Sequence, residues 1–144
     1  VLIVSGNYST MDTVHKITQT LDTLNIKSQY KVISATRSPD RLEKYISDVD
    51  DQMDLYIVVS NLSTVLSGAV VSLTTKPVIG VPCENELGNN YLLSTVNMPP
   101  GVPVATVGVN NGRNAAVLSG EILSINNPVL LELLEKLKNK KINI

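Results

Sequence analysis

The chain contains no phenylalanine, no tryptophan, and only one cysteine and one histidine. With Cys83 alone, an intrachain disulfide is impossible and a zinc cluster has too few sulfur ligands. With His15 alone, a multi-histidine metal site is excluded too. The 12 basic and 13 acidic residues provide no dense basic face for nucleic acid. Because no apolar run reaches the roughly 20 residues that cross a bilayer and no secretory signal opens the sequence, we predict a cytoplasmic protein.

The hydrophobic residues that are present make up 43% of the 144 positions, and tyrosine supplies all 5 aromatic rings. The core must therefore be aliphatic, packed by volume and not by ring stacking. The length suits one domain and is too short for two ordinary ones, so we predict a single domain over residues 1–144. Because the first residue is Val1 and not methionine, we expect this domain to be trimmed or to be one unit of a longer or tandem chain.

Short apolar runs alternate with segments of helical periodicity along the chain. The predicted strands are residues 1–5, 30–34, 55–59, 77–81 and 103–107. The predicted helices are residues 10–24, 38–49, 66–75, 91–96, 114–125 and about 128–141. Connections this short fit only βαβ units. We therefore predict an α/β domain, a three-layer αβα sandwich with a flavodoxin-like parallel sheet of about five strands plus a C-terminal helix.

If the strand order is 2-1-3-4-5, the loops after the first three strands converge at a crevice between strands 1 and 3. These loops contain hydroxyl and amide side chains and one arginine: Ser5, Asn7, Ser9, Thr10, Ser34, Thr36, Arg37, Ser38, Ser60, Asn61, Ser63, Thr64 and Ser67. Such a set fits a phosphate or carboxylate, or simply helix caps and loop solubilisers. All three loops lack a carboxylate or imidazole that could move a proton near neutral pH.

Two segments of the chain resemble one enzyme family: VVSLTTKPVIGVP at residues 70–82 and NMPPGVPVATVGVNNGRNAAVLSGEIL at residues 97–123. The family is the catalytic subunit of phosphoribosylaminoimidazole carboxylase, or carboxyaminoimidazole ribonucleotide mutase, and the likeness is to its archaeal members. The resemblance implies an αβα domain in an octamer or smaller oligomer, with the C-terminal helix reaching a neighbour. It also implies cofactor-free purine-biosynthesis chemistry, moving a carboxylate from an exocyclic nitrogen to a ring carbon of an imidazole ribonucleotide or adding carbon dioxide.

The family's loop motifs map onto this chain with several replacements. The motif G-S-x-S-D falls on residues 6–10, S-A-H-R on residues 34–37, and A-G-x-A-A-H-L-P-G on residues 60–68. The family's histidine in the second motif is Thr36 here, and a later family aspartate falls on Asn90. Threonine has no pKa near 7 and cannot replace that general acid or base. The resemblance implies substrate or phosphate binding at Gly6, Asn7, Ser9, Thr10, Ser34, Arg37, Ser60, Asn61 and Leu66.

Three functions remain open, and the chemistry favours a catalytically impaired family copy, a pseudoenzyme with a structural or regulatory role. Its partners would be further copies of itself or an active paralogue. The alternatives are an active mutase or carboxylase with an unorthodox site, and a module that binds a phosphorylated ribonucleotide. His15 lies inside the first helix and is predicted to be a surface or half-buried structural residue, and Cys83 an inert packing thiol.

Overall fold

A parallel sheet forms the centre of this computed structural model, which describes residues 1–61, 65–85 and 95–142. Its strands are β1 (Leu2–Ser5), β2 (Gln29–Val32), β3 (Tyr56–Ser60), β4 (Val78–Pro82) and β5 (Ala105–Thr106). Every neighbouring pair is parallel, and the order is β2-β1-β3-β4-β5. The predicted αβα class, parallel sheet and strand order are confirmed.

Helices cover both faces of this sheet. They are α1 (Met11–Thr23), α2 (Pro39–Val49), α3 (Val65–Ser72), α4 (Gly112–Ser124) and α5 (Pro128–Ile142). Successive side chains of β1 point to opposite faces of the sheet. Ile3 packs in the core that α1 and α4 cover, whereas Leu2 and Val4 pack in the core that α2 and α3 cover. Burial on both faces explains why β1, β3 and β4 are continuous apolar runs, whereas β2, at the sheet edge, is partly exposed.

Several elements are shorter than the sequence predicted. Strand β2 ends at Val32 and not at residue 34, because the Ser34 carbonyl accepts from the Ser38 N–H (3.0 Å) and the chain turns into α2. Strand β5 covers two residues of the predicted 103–107, since Pro103 has no N–H for the ladder. Helix α3 ends at Ser72. The predicted helix 91–96 lies mostly outside the described residues, in which only its last two positions, 95 and 96, are helical.

Helix α5, which matches the predicted C-terminal helix, packs on its own domain. Leu130 and Leu134 form a separate apolar cluster with Leu24 at the end of α1. Leu131, the residue after Leu130, is by contrast 47% exposed. Together with Ile125 (78%) and Val129 (70%), it leaves an apolar surface where α4 meets α5.

A partly buried polar cluster connects three segments at the edge of the sheet opposite the carboxyl ends. Asp50 Oδ1 accepts hydrogen bonds from the Tyr56 hydroxyl and from Thr74 Oγ1, each at 2.6 Å. Partial burial tends to raise the pKa of the Asp50 carboxyl, but the bonds from Thr74 and Tyr56 and the nearby Lys76 charge outweigh it, so the pKa lies below its ordinary value. The ionised carboxylate therefore stabilises the folded state.

Replacing Asp50 by asparagine should lower the free energy of unfolding by about 1–2 kcal/mol at pH 7, because both bonds lose their charge assistance. The folded-state pKa is depressed, so this contribution is full above the unfolded pKa of about 3.8 and is lost as the pH falls through the folded pKa. Urea unfolding of wild type and Asp50→Asn should thus converge under acid conditions. Exposed Asp51→Asn is the control, and a difference that persists at pH 2 would contradict this account.

Candidate functional site

A cavity of about 370 Å³ opens at the carboxyl ends of β1, β2 and β3. It lies where the strand order reverses, between β1 and β3, which is where open α/β sheets bind ligands. Its described lining residues are Gly6, Asn7, Ser34, Ala35, Thr36, Arg37, Ser60, Asn61, Val65 and Leu66. The three predicted loops therefore do converge. Of the nine residues for which the resemblance implies binding, Ser9 and Thr10 are not in this lining, and the loop residues Ser5, Ser38 and Ser67 are not in it either.

The β1 loop is shaped by its own hydrogen bonds. The Ser5 hydroxyl lies 2.7 Å from Thr10 Oγ1 and donates to the Asn7 carbonyl at 2.8 Å. Thr10 is buried, so its hydroxyl serves this turn and faces no solvent. Asn7 caps the short helix Tyr8–Thr10 by accepting from the Ser9 N–H at 3.0 Å. The loop thus presents Gly6 and the Asn7 side chain to the cavity.

Three polar side chains join the β1 loop to the β3 loop. Asn7 Nδ2 donates to Asn61 Oδ1 (2.9 Å), Asn61 Nδ2 donates to Ser9 Oγ (2.8 Å), and Ser9 Oγ donates to Asn7 Oδ1 (2.6 Å). We call this closed set the amide ring. Asn85, which follows β4, also donates to the Asn61 carbonyl. Asn61 therefore connects the loops after three neighbouring strands.

The β2 loop carries the positive charge of the site. The Ser34 hydroxyl accepts from the Arg37 N–H (3.2 Å) and lies 3.1 Å from Thr36 Oγ1. Thr36 and Arg37 are exposed, and the ion pairs found in the described part of the chain do not include Arg37. Helix α2 begins two residues later, so its positive dipole end lies close to the arginine. This side of the cavity suits an anion.

Helix α3, which follows the β3 loop, contributes the apolar part of the cavity. Leu66 is 5% exposed and belongs to the core against α2 and α3, while Val65 is 46% exposed at the rim. The candidates Ser63 and Thr64 lie outside the described residues, as does Asn90. Among the lining residues, sequence reasoning missed Ala35 and Val65 as contacts. Their signal was their position in the sequence, Ala35 between Ser34 and Thr36 and Val65 directly before Leu66.

A second hollow of about 300 Å³ adjoins the cavity and shares Arg37 with it. Its own contributors include Tyr8 and Arg41, which sequence reasoning did not select. Arg41 lies four positions after Arg37, in the first turn of α2, and this proximity in the sequence was the available signal. The two arginines give this end of the sheet a positive edge.

Arg37 is the one ionisable side chain among the described lining residues. His15 is exposed on α1 and does not line the cavity. Cys83 is buried, its thiol donates to Thr13 Oγ1 (3.5 Å), and burial raises its pKa. The described segments contain no group of three His, Cys, Asp or Glu residues that could hold a metal ion. They also contain no helix that is long and apolar enough to cross a membrane.

Comparisons with known proteins place this site in context. The family model described as AIR carboxylase matches residues 1–143. A Methanobrevibacter smithii protein named "Probable N5-carboxyaminoimidazole ribonucleotide mutase" is 63% identical over 144 residues, which cover 100% of this chain and 42% of that protein. A Methanothermobacter thermautotrophicus protein of the same name is 42% identical over 143 residues, which cover 99% of this chain and 42% of that protein. The chain thus spans about two fifths of the length of these two relatives.

A relative of similar size and a solved structure complete the comparison. Methanocaldococcus jannaschii N5-carboxyaminoimidazole ribonucleotide mutase is 39% identical over 145 residues, covering 97% of this chain and 91% of that protein. The crystal structure of Treponema denticola PurE has a TM-score of 0.90 at 23% identity, covering 99% of this chain and 90% of that one, which shows a shared fold. The resemblance seen in the sequence is confirmed, and the chain belongs to the AIR carboxylase family.

Proposed function

We propose that this domain is a non-catalytic member of the family that binds a phosphorylated ribonucleotide. The observation that carries the proposal is the described cavity lining, in which Arg37 is the only ionisable side chain. Thr36, which also lines the cavity, lies where the sequence resemblance places the family histidine. An anion-binding arginine remains, whereas a group that could transfer a proton near neutral pH is missing from these lining residues. The ligand class follows from the relatives, which are named as mutases of N5-carboxyaminoimidazole ribonucleotide.

The test is whether the domain binds the ribonucleotide without converting it. Calorimetric titration with ribose 5-phosphate and with N5-carboxyaminoimidazole ribonucleotide should show saturable binding, and the nucleotide should be recovered unchanged. Arg37→Ala should weaken binding roughly 10–100-fold, because a charge-assisted hydrogen bond to an anion contributes about 1.5–3 kcal/mol. Arg113→Ala, which removes an exposed arginine outside the cavity, is the matched control. Equal binding by both variants would contradict the proposal.

The proposed role is structural or regulatory, in the cytoplasm, within an assembly of identical copies or together with an active family unit. Both archaeal relatives at 42% coverage are long enough to hold two units of this size, which supports residues 1–144 as one domain of a tandem chain. The active-enzyme alternative is favoured by the relatives' names alone. It requires that a group outside the described lining supply the proton transfer.

The exposed apolar surface at the junction of α4 and α5 supports self-association. Light scattering at micromolar concentration should show a defined oligomer, and Val129→Glu should shift it to a smaller species, because a charge would then be buried at the contact. Glu135→Gln changes an exposed α5 residue and should leave the oligomer intact. A monomeric wild-type chain would contradict self-association.

A further inference from the structure

Two neighbouring hollows lie at the amino ends of β1, β2 and β3, the edge of the sheet opposite the candidate site. The larger, of about 510 Å³, lies between the end of α1 and the start of α5, and the smaller, of about 380 Å³, lies beside the starts of the strands. They share the lining residues Ile26, Asp54 and Leu123, so they adjoin. We call the two hollows together the amino-end groove. The proposed ribonucleotide binding does not use it.

The larger hollow is mainly apolar and borders an apolar projection. Its lining includes Leu24, Leu123, Leu130 and Leu133. Val129 also lines it and is 70% exposed, and Ile125, in the turn between α4 and α5, is 78% exposed. In a two-fold symmetric interface both copies use the same patch, so the patch must fit itself. A recess and a projection of the same chemistry, side by side on one surface, meet that requirement.

The smaller hollow carries side-chain charges of both signs. Asp54 and Lys27 line it, both are exposed, and the ion pairs found among the described residues include neither side chain. The Val1 amine, a third charged group there, donates to the Lys27 carbonyl at 3.0 Å. A surface with one carboxylate and one ammonium side chain is complementary to its own copy, because a two-fold rotation pairs each charge with its opposite.

We propose that the amino-end groove is a contact between two copies of this chain. Ile125 and Val129 of each copy enter the larger hollow of the other, and Asp54 of each copy faces Lys27 of the other. The inference rests on the proposed self-association and deepens it by naming the contact. Because the groove lies at the amino ends of the strands, the ribonucleotide site at the carboxyl ends stays open in this pair.

The first test places a charge on the projection. Ile125→Glu should raise the dissociation constant of the pair at least about 100-fold, because a carboxylate would then enter an apolar hollow. Sedimentation velocity over a dilution series measures this constant. Val96→Glu changes a residue that is 57% exposed and lines neither hollow, and it should associate like wild type. Thermal melting shows whether each variant is folded.

The second test reverses the two charges separately. Asp54→Lys and Lys27→Glu each place like charges across the contact, so each variant alone should associate at least about tenfold more weakly. An equimolar mixture of the two variants should recover association, because two ammonium groups then face two carboxylates. An ion pair within one chain cannot produce this recovery, since each chain keeps its own like charges. Glu43→Lys, an exposed charge reversal on α2, is the control.

The outcomes separate this inference from the proposed function. Wild-type association that Ile125→Glu leaves unchanged, or a mixture of the charge variants that gains nothing, would overturn the inference while self-association through another surface stands. A monomeric wild type would overturn both. Ribose 5-phosphate binding, followed by calorimetry, should be equal in wild type and Ile125→Glu, because the two sites lie at opposite edges of the sheet.

Discussion

Residues 1–144 alone should convert N5-carboxyaminoimidazole ribonucleotide at least about 100-fold more slowly than the Methanocaldococcus jannaschii relative, because a positioned general acid or base contributes about 10²–10⁴-fold. Moving a carboxylate from nitrogen to carbon requires a proton to leave the ring carbon and another to reach the nitrogen. The Thr36 hydroxyl cannot act as a general acid or base near pH 7, and the Arg37 side chain has no acceptor atom that could take up a proton. The measurement is product formation under single-turnover conditions, at enzyme concentrations well above substrate.

The comparison enzyme makes this result interpretable. It is 39% identical to this chain and matches it over 91% of its own length, so both proteins can be assayed as single units in the same buffer. Binding of the substrate is measured in parallel, because a rate lost through weak binding would be recovered at higher concentration. Turnover within tenfold of the relative would overturn the non-catalytic assignment and establish the active-enzyme alternative.

Substitution of Gly112 should lower the free energy of unfolding by more than the Asp50→Asn substitution. A Cβ at this position would lie 2.7 Å from the Thr13 carbonyl oxygen and 2.9 Å from Ile17 Cγ1, both on α1. A backbone atom cannot move away unless the whole helix shifts. We expect Gly112→Ala to cost about 2 kcal/mol of unfolding free energy and Gly112→Val about 3 kcal/mol or more, the upper range for overpacking.

The control for Gly112 is the glycine of α3. A Cβ added at Gly68 meets nothing within 4 Å, so Gly68→Ala should be neutral or stabilise the fold by up to about 1 kcal/mol through helix propensity. Chemical unfolding of the three variants beside wild type measures the difference. Equal stability of Gly112→Ala and Gly68→Ala would show that the α1–α4 contact adapts more easily than the described packing implies.

Much of the site could be predicted because its residues follow strands directly. Parallel strands place their carboxyl ends at one edge, so Asn7, Arg37 and Asn61 had to approach one another once the strand order was known. The sequence did not predict which hydrogen-bond partner each side chain has. Thr10 was selected with Ser9 for its hydroxyl, yet it is buried against Ser5, while Ser9 bonds to a residue 52 positions away.

The sequence alone determined the α/β alternation, the aliphatic core, the three polar loops and the shortage of proton-transferring groups, because these depend on residue type and local period. The tertiary structure decided the amide ring, the close α1–α4 contact at Gly112 and the exposure of Leu131. Each of these depends on distances between residues far apart in the chain. Strand register and helix packing set such distances, and no local pattern encodes them.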